Sequence, residues 1–544
     1  MSRHQRLTLV ATILGSTVVF LDSTVVNVAL PAIGKGLDAK LAGQQWVVEA
    51  YMLTLVSLLL VGGSLGDQFG RRRMFVIGLI GFGATSALCA IAPSVEFLIA
   101  ARALQGVAGA LLVPGSLAIV AATFEGAERG KAVGTWTAWT GIATVVGPAG
   151  GGALVSLTSW RAIFWVNLPL IAATVALTLH SVEESRDPDA FRGIDWGGIV
   201  LSAAGLAGPV FALTEQPTRG WSDPVVWVSL IAGIVCFALF IRHEARTPHP
   251  MMDLKLFRIR NFAVANLTTL AAYAGLIGGL FFVTLFLQQV AGYSPLEAGL
   301  ATTPVSIILF FLSPYWGRLA SGTGPRLPMT VGPIVGGLGL LLMLRVGSNA
   351  DYVSDVLPAI VVFGLGLSAT VAPLTATVLD SVEERHVGIA SGINNGVSRV
   401  AGLLAIAVLG AVISAHFGSV LDSKLGNRPL APKAAEIVSE AKAQPLAVPG
   451  TDHLPPPEAK RLRTASADAS TSAFHLGVGI AGILMILGGI ASAIGIENPR
   501  RRTQAVPAGG AATAGECGHG RDADSRQGEV APEPGSEAPE PEPA

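Results

Sequence analysis

The sequence predicts an all-α integral membrane protein that crosses the bilayer many times. Of its 544 residues, 51% are hydrophobic and only 13% are charged, whereas a soluble domain usually carries about 25% charged residues. Apolar stretches of about 18 or more residues, long enough to span a hydrocarbon core about 30 Å thick, recur along the chain. A helix satisfies its own backbone hydrogen bonds in lipid, so each stretch is predicted to be a transmembrane helix.

Fourteen such stretches follow one another with short polar breaks between them. The first carries Asp22 and is too long for a signal peptide, so we expect it to be retained as a helix. The predicted spans lie near residues 7–33, 46–66, 74–92, 97–122, 132–156, 161–180, 194–214, 225–241, 262–290, 297–316, 328–346, 355–380, 387–416 and 474–496.

The distribution of Lys and Arg tests this count. Cytoplasmic loops of membrane proteins carry an excess of basic residues. With fourteen spans and both termini in the cytoplasm, most Lys and Arg of the short loops fall on the inner side. The outer short loops hold Lys35, Lys40, Arg161, Arg219 and Arg345. The bias predicts a multi-pass protein of the plasma membrane with cytoplasmic termini.

An internal repeat relates the two halves of the chain. The segment from Gly63 to Arg72 aligns without gaps with the segment from Gly317 to Arg326, and both follow a helix that runs inward. Repeated halves are typical of secondary transporters that rock around a site near the midplane. The offset leaves six helices in each half and a spare pair between them.

The predicted organisation follows from this repeat. Residues 431–444 could form a short amphipathic helix, and the Ala-, Pro- and Glu-rich tail cannot bury a core. The predicted parts are a six-helix bundle at 1–184, two extra helices at 185–260, five helices of a second bundle at 261–416, an extracellular loop at 417–473, the last span at 474–500 and a disordered cytoplasmic tail at 503–544.

Asp22 places a carboxylate near the middle of the first helix. A charge at that depth costs roughly 2.5–3.5 kcal/mol and usually faces a polar cavity with a function. We expect an acid that binds a proton or a cation. A structural carboxylate tied to neighbouring hydroxyls is the alternative.

Glu49 lies at the start of the second predicted helix. Near the surface, the positive end of the helix dipole would tolerate its charge. If the helix begins earlier, near Gly43, Glu49 instead lies in the interior and could relay protons. The sequence leaves both readings open.

Arg102 and Gln105 share one face of the fourth helix with Gly109, within the predicted hydrocarbon layer. An unpaired guanidinium there is costly, so we expect an acidic partner on another helix, with Asp22 the best candidate. The alternative is that Arg102 extends outward to the interface.

The loop between the second and third helices combines a carboxylate with a basic cluster. Its glycines permit a tight turn, and the degenerate second copy suits a charge latch that breaks in one conformation. The predicted latch consists of Gly63, Asp67, Gly70, Arg71 and Arg72.

The fifth helix combines close-packing glycines with a proline that kinks it. Small residues there allow two helices to touch and slide. These residues are Gly134, Gly147, Pro148, Gly151 and Gly152.

Together these motifs resemble the major facilitator superfamily, and within it the drug:proton antiporters with fourteen transmembrane helices. The resemblance covers residues 1 to about 500. Gln68 replaces a basic loop residue, Ala143 replaces a glycine and Ala162 replaces a common Trp. The motif residues that match are Leu21, Asp22, Thr24, Asn27, Pro31, Gly63, Leu65, Asp67, Gly70, Arg71, Arg72, Arg102, Gln105, Gly106, Gly134, Gly147, Pro148, Gly151, Gly152, Trp160, Arg161, Phe164, Asn167 and Pro169.

The resemblance implies export of a lipophilic, cationic drug or antibiotic in exchange for protons. Asp22 would be the coupling acid, Glu49 a second candidate, and Arg102 the group that tunes or receives the proton. The expected partners are the cargo, protons and lipid, in a monomer without a cofactor, a metal or nucleic acid. No nucleotide-binding loop is present, so ATP is not implied.

Other readings remain open. The chain could export one endogenous metabolite, take up a compound by symport, or act as a membrane sensor that transports nothing. An enzyme is not indicated, because the polar loops show no catalytic arrangement.

Overall fold

Helices form almost all of the regular structure. The computed structural model describes residues 1–124, 126–186, 195–248, 250, 252–383, 387–426, 431–447, 449–451 and 453–498. The predicted disordered tail at 503–544 lies outside the described residues. The helices are α1 Arg3–Leu37, α2 Leu41–Phe69, α3 Arg71–Ala90, α4 Val95–Thr123, α5 Gly126–Leu157, α6 Ala162–Trp165, α7 Asn167–Ser181, α8 Trp196–Arg219, α9 Pro224–Glu244, α10 Arg260–Gln289, α11 Pro295–Thr323, α12 Arg326–Leu342, α13 Leu357–Asp380, α14 Val387–Leu425, α15 Pro432–Ala443 and α16 Pro456–Gly495.

The all-α membrane fold is confirmed, but the number of spans is not. Within the described residues, 12 helices are long and apolar enough to cross a membrane, or up to 13 if the bent helix α2 is one span. That helix bends by 49° between Leu59 and Val61. In α5 the apolar stretch Val146–Leu157 is shorter than a full span, and the side chains of residues 141–145 just before it lie outside the described ones. Fourteen spans therefore stays a prediction.

The two halves of the chain repeat the same helix pairings. In the first half α1 packs on α5 and α7, while α4 packs on α2 and α3. In the second half α10 packs on α14 and α16, while α13 packs on α11 and α12. The extra helices α8 and α9 pack mainly on each other, and α8 also contacts α2 and α14. Met1–Asn498 forms one compact unit.

The two ends of α1 define two ends of the bundle. We call the end at which α1 begins the terminal face and the end at which α1 finishes the opposite face. At the terminal face the Thr8 hydroxyl donates to the Ser181 carbonyl at 2.5 Å, and Gln5 reaches the carbonyl of Thr123. These contacts hold the start of α1 against the ends of α7 and α4.

The segment at 417–473 differs from the predicted loop because helices enter it from both sides. The short helix α15 occupies the predicted amphipathic stretch, α14 extends to Leu425, and α16 already begins at Pro456. Buried Ala465, Ala469 and Ala473 line one side of α16 at four-residue spacing. Alanine strongly favours helix, so the chain continues as helix where its hydropathy falls. An ion pair of 2.8 Å between Lys424 and Asp468 joins α14 to α16.

Candidate functional site

Asp22 lies at the centre of a buried polar cluster where α1, α4 and α7 meet. Only 2% of the residue is exposed. Its Oδ2 accepts a hydrogen bond of 2.5 Å from Arg102 Nη1. Its Oδ1 accepts two more, from Gln105 Nε2 at 3.2 Å and Asn167 Nδ2 at 3.1 Å. The carboxylate is therefore held by three donors from two other helices.

Arg102 is the partner that the sequence predicts for Asp22. It is 1% exposed, so the alternative in which it extends to the interface does not hold. Its Nε donates to the Val47 carbonyl at 3.1 Å, and its Nη1 also donates to Gln105 Oε1 at 2.7 Å. The guanidinium carbon lies 4.2 Å from the centre of the Tyr51 ring, within cation–π range. Both the carboxylate and the guanidinium are thus held by further contacts besides the ion pair between them.

A second layer of polar groups supports the pair. Asn167 Nδ2 donates to Ser86 Oγ at 3.0 Å, and Ser86 donates to the carbonyl of Phe164. The Tyr51 hydroxyl and Asn167 Oδ1 are buried, and the described residues offer neither a hydrogen-bond partner. Neither Tyr51 nor Ser86 was predicted from the sequence, and Asn167 entered only through the family resemblance. The amide side chain of Asn167 in an otherwise apolar stretch was the sequence feature that could have marked it as a site residue.

Glu49 is buried between α2 and α8, because α2 begins at Leu41 rather than near residue 46. The residue has no exposed surface. Thr214 Oγ1 of α8 donates to Glu49 Oε2 at 2.9 Å, while Glu49 Oε1 has no hydrogen-bond partner in the described part of the chain. One turn earlier, Trp46 Nε1 donates to Glu215 Oε1 at 3.0 Å. An ionised Glu49 would be a buried charge with no cation beside it, which is costly.

The glycines of α5 lie where this helix crosses α1 and α11. A Cβ at Gly147 would stand 2.0 Å from Thr24 Oγ1, and one at Gly151 would stand 2.6 Å from a methyl of Val25. A Cβ at Gly152 would stand 2.4 Å from the Pro295 carbonyl oxygen. The Pro148 carbonyl in turn lies against Gly299 of α11. These residues thus allow α5 to touch both halves, whereas Gly134 has open space around it.

The predicted ion pair joins the last turn of α2 to the first residue of α3, across Gly70. Arg71 donates to Asp67 Oδ1 at 2.8 Å. Gly70 has a φ of +112°, and a Cβ there would stand 2.6 Å from Glu184 Oε1. Glu184, which follows α7, accepts the backbone N–H groups of Arg72 and Arg73 at 3.1 and 3.2 Å. A Cβ at Gly63 would stand 3.5 Å from the Cβ of Pro114 on α4.

The second half repeats this arrangement with a neutral side chain. Gly324 has a φ of +92°, and a Cβ there would meet the Asn498 amide. Asn498 follows α16 as Glu184 follows α7, and its Oδ1 accepts the Arg326 backbone N–H at 3.0 Å. The repeat thus extends to the cap of α3 and the cap of α12. Neither cap could be predicted from the sequence, because the donor and the acceptor of each lie far apart in the chain.

Hydrogen bonds between the two halves lie toward the opposite face. Gln45 Nε2 donates to the Ile406 carbonyl at 2.8 Å, and Gln288 Nε2 donates to the Val28 carbonyl at 2.9 Å. The backbone N–H of Leu296 donates to Ser156 Oγ at 3.2 Å. Toward the terminal face, a Cβ at Gly134 or Gly396 would meet no heavy atom of a neighbouring element within 4 Å.

Arg399 of α14 faces the first half of the chain. Its guanidinium carbon lies 5.9 Å from the centre of the Phe20 ring of α1. Of the polar residues near it in sequence, Asn394 donates to Thr269 at 2.7 Å and Asn395 donates to its own helix at Ser391. The aromatic residues Phe281, Phe282 and Phe286 of α10 are buried in the core, so their role is core packing and not contact with a cargo.

Comparison with known proteins agrees with this architecture. The Major Facilitator Superfamily matches residues 12–406. The chain is 38% identical over 426 residues to multidrug resistance protein Stp of Mycobacterium tuberculosis strain CDC 1551 / Oshkosh, covering 78% of this chain and 79% of that protein. It is 33% identical over 477 residues to the tetracenomycin C resistance and export protein of Streptomyces glaucescens, covering 87% and 88%.

Solved structures show the same fold at low sequence identity. A bacterial homologue of the human lysosomal transporter Spinster, in an inward-facing and unoccupied conformation, is 16% identical with a TM-score of 0.59. That match covers 92% of this chain and 100% of the other. A peptide transporter POT in complex with sulfate is 14% identical with a TM-score of 0.59, covering 90% and 95%.

Proposed function

Because the chain belongs to the Major Facilitator Superfamily, we propose that this multi-pass membrane protein exports small lipophilic drugs or antibiotics in exchange for protons. Relatives are named multidrug and antibiotic resistance or export proteins, which supports a drug transporter. The proton gradient and membrane potential would drive export, at about 2.3 kcal/mol per charge per 100 mV.

The observation that carries the proposal is the buried pair of Asp22 and Arg102. A proton that reaches Asp22 cancels its charge and leaves Arg102 without its anionic partner, in a place where an unpaired charge is costly. The helices that bear the two residues would then rearrange. Proton binding at Asp22 is thereby linked to the relative position of α1 and α4. Glu49, hydrogen-bonded to Thr214, is the second candidate.

We further propose that the terminal face is cytoplasmic. The basic residues of the short loops support this orientation. The contacts between halves at the opposite face, and the open space around Gly134 and Gly396, support a conformation that opens to the cytoplasm. The ion pair of Asp67 and Arg71 would act as the cytoplasmic latch.

A cavity of about 440 Å³ supports a lipophilic cargo. It lies among α2, α8, α9, α10 and α14 and is lined mainly by apolar side chains, including Leu206, Phe240 and Val400. Drug-sized ligands occupy pockets of about 300–1,000 Å³. Among the described residues no carboxylate lines this cavity, so the cationic charge that the family resemblance implies for the cargo has no support there.

The test uses inside-out membrane vesicles with an established proton gradient. A panel of lipophilic cations, acids and neutral antibiotics is added, and collapse of the gradient is recorded for the native protein and for Asp22→Asn. We expect at least one compound to collapse the gradient only with native protein. Asp422→Asn is the matched control, because Asp422 forms an exposed ion pair with Lys442.

A broad panel without any response from correctly inserted protein would contradict proton-coupled drug export. Equal responses from the native protein and Asp22→Asn would leave drug transport standing and exclude Asp22 as the coupling acid.

Export of one endogenous compound is the second candidate function. Relatives include the tetracenomycin C resistance and export protein and a probable actinorhodin transporter of Streptomyces coelicolor, each named for one compound. The same panel separates the two readings, because a dedicated exporter would respond to one chemical scaffold only.

A further inference from the structure

Arg399 has no described partner for its charge. It lies about 18 Å from the start of α14 at about 1.5 Å per residue, well inside a helix that spans the membrane. The residue is half-buried. Among the described residues no side chain or carbonyl forms a hydrogen bond or ion pair with its guanidinium.

The groups around Arg399 are aromatic rather than acidic. Phe20 of α1 lies at 5.9 Å, near the limit of a cation–π contact. No carboxylate of the described residues forms an ion pair with the Arg399 guanidinium. A single ring at that distance does not replace the hydration shell of a guanidinium.

The buried charges of the first half that are described above do not balance Arg399. Asp22 and Arg102 neutralise each other at 2.5 Å. Glu49 has no exposed surface and accepts a hydrogen bond from Thr214, so it does not offer a charge to the space between the halves. Arg399 therefore gives this space a positive charge that the described residues do not balance. Charged residues within a membrane face water-filled cavities or ligand paths, and their unsatisfied charge marks a function.

We propose that Arg399 binds the negative group of the cargo, and that this protein prefers lipophilic aromatic acids to lipophilic cations. The proposal deepens the proposed export function, on which it rests, by naming the charge class of the cargo. A guanidinium donates two parallel hydrogen bonds to a carboxylate. Phe20 belongs to α1 and Arg399 to α14, so an aromatic body held between them would touch both halves of the chain.

The test uses two probes with the same ring and opposite charge, pyrenebutyrate and pyrenebutyl-trimethylammonium. Binding to purified native protein in detergent is measured by fluorescence anisotropy. We expect the acid to bind more tightly, and Arg399→Gln to weaken its binding by about tenfold or more, as for loss of a charged hydrogen bond. Binding of the cation should be retained or become tighter, because a repelling positive charge is removed, and retained binding also shows that the variant is folded.

Two further variants sharpen the test. Arg399→Lys keeps the positive charge without the planar fork and should retain part of the preference for the acid. Ser398→Ala is the matched control, because Ser398 Oγ donates only to the Asn395 carbonyl of its own helix. It should bind both probes as the native protein does.

An unchanged ratio of acid to cation binding in Arg399→Gln, or a native preference for the cation, overturns the proposal. Uptake of both probes into inside-out vesicles with a proton gradient separates this failure from failure of the proposed function. Binding that depends on Arg399 without proton-driven uptake contradicts the proposed export and leaves the anion site. Proton-driven uptake that does not depend on Arg399 supports the proposed export and contradicts the anion site.

Discussion

At the scale of single residues, the site depends on charges that are shielded from water. Asp22 and Arg102 are almost completely buried, and each satisfies the other. Removing one member of such a pair leaves the second as an uncompensated charge, whereas removing both is often nearly neutral. The pair therefore ties the charge state of one residue to the stability of a particular helix arrangement.

The first prediction concerns this pair. Arg102→Gln should lower the free energy of unfolding by about 3–5 kcal/mol, because Asp22 stays buried without its cation. The double variant with Asp22→Asn should be more stable than Arg102→Gln alone. Thermal unfolding of purified protein in detergent measures both changes. A double variant no more stable than the single variant would show that the ionic pairing does not control stability here.

Part of this cluster could be predicted from the sequence. The cost of a lone charge in a membrane was enough to pair Asp22 with Arg102. The same reasoning could not place Tyr51, Ser86 and Asn167. Their uncharged polar groups cost less to bury than a charge does, and many different partners could satisfy their hydrogen bonds. Which of those ways is used depends on the angles at which the helices cross.

At the scale of the helices, close contacts are made where side chains are missing. Gly147 and Gly151 bring α5 against α1, and Gly152 brings it against α11. Small residues allow helix backbones to approach closely in membranes. Since α5 and α11 belong to different halves, this contact is one that must change whenever the halves rock.

Gly152→Val is predicted to disturb the contact between α5 and α11. Its Cβ would stand 2.4 Å from a backbone oxygen of Pro295, which cannot move aside as a flexible side chain can. The cost should be about 1–3 kcal/mol, as for overpacking in a core. Thermal unfolding measures it.

The control for this prediction is Gly134→Ala in the same helix. Gly134 has open space around it, so its thermal stability should stay the same or rise slightly because alanine favours helix. Equal destabilisation by the two substitutions would contradict the assigned contact.

The cap of α3 supplies the next prediction. Glu184→Ala should destabilise the protein by about 0.5–2 kcal/mol, because the N–H groups of Arg72 and Arg73 lose their acceptor. Glu184→Gln keeps an acceptor oxygen and should cost less. Thermal unfolding again provides the comparison. An alanine variant as stable as the glutamine variant would argue against the cap.

The helices were easier to predict than their ends. Hydropathy located the spans, but α14 and α16 continue past the apolar residues into the predicted loop at 417–473, since alanine-rich amphipathic sequence also forms helix. Hydropathy also misplaces the start of the helix that carries Glu49. This helix begins at Leu41, earlier than hydropathy alone indicates, so Glu49 lies in the interior.

At the scale of the whole molecule, the two halves share helix pairings and capping arrangements but differ in charge. The acid–guanidinium pair lies in the first half, while the second half contributes Arg399. The repeat in the loop motif indicated the two halves from sequence. The difference between them could not be predicted in the same way, because an unpaired charge is recognised only after its surroundings are known.

Coupling through Asp22 is tested by proton release on cargo binding. Purified protein in weakly buffered detergent solution is mixed with a compound that it transports, and the change in pH is recorded for the native protein and for Asp22→Asn. We expect cargo to release protons from the native protein and this release to be lost or reduced in Asp22→Asn, although the variant still binds the compound. Equal proton release from the two proteins would contradict coupling through Asp22.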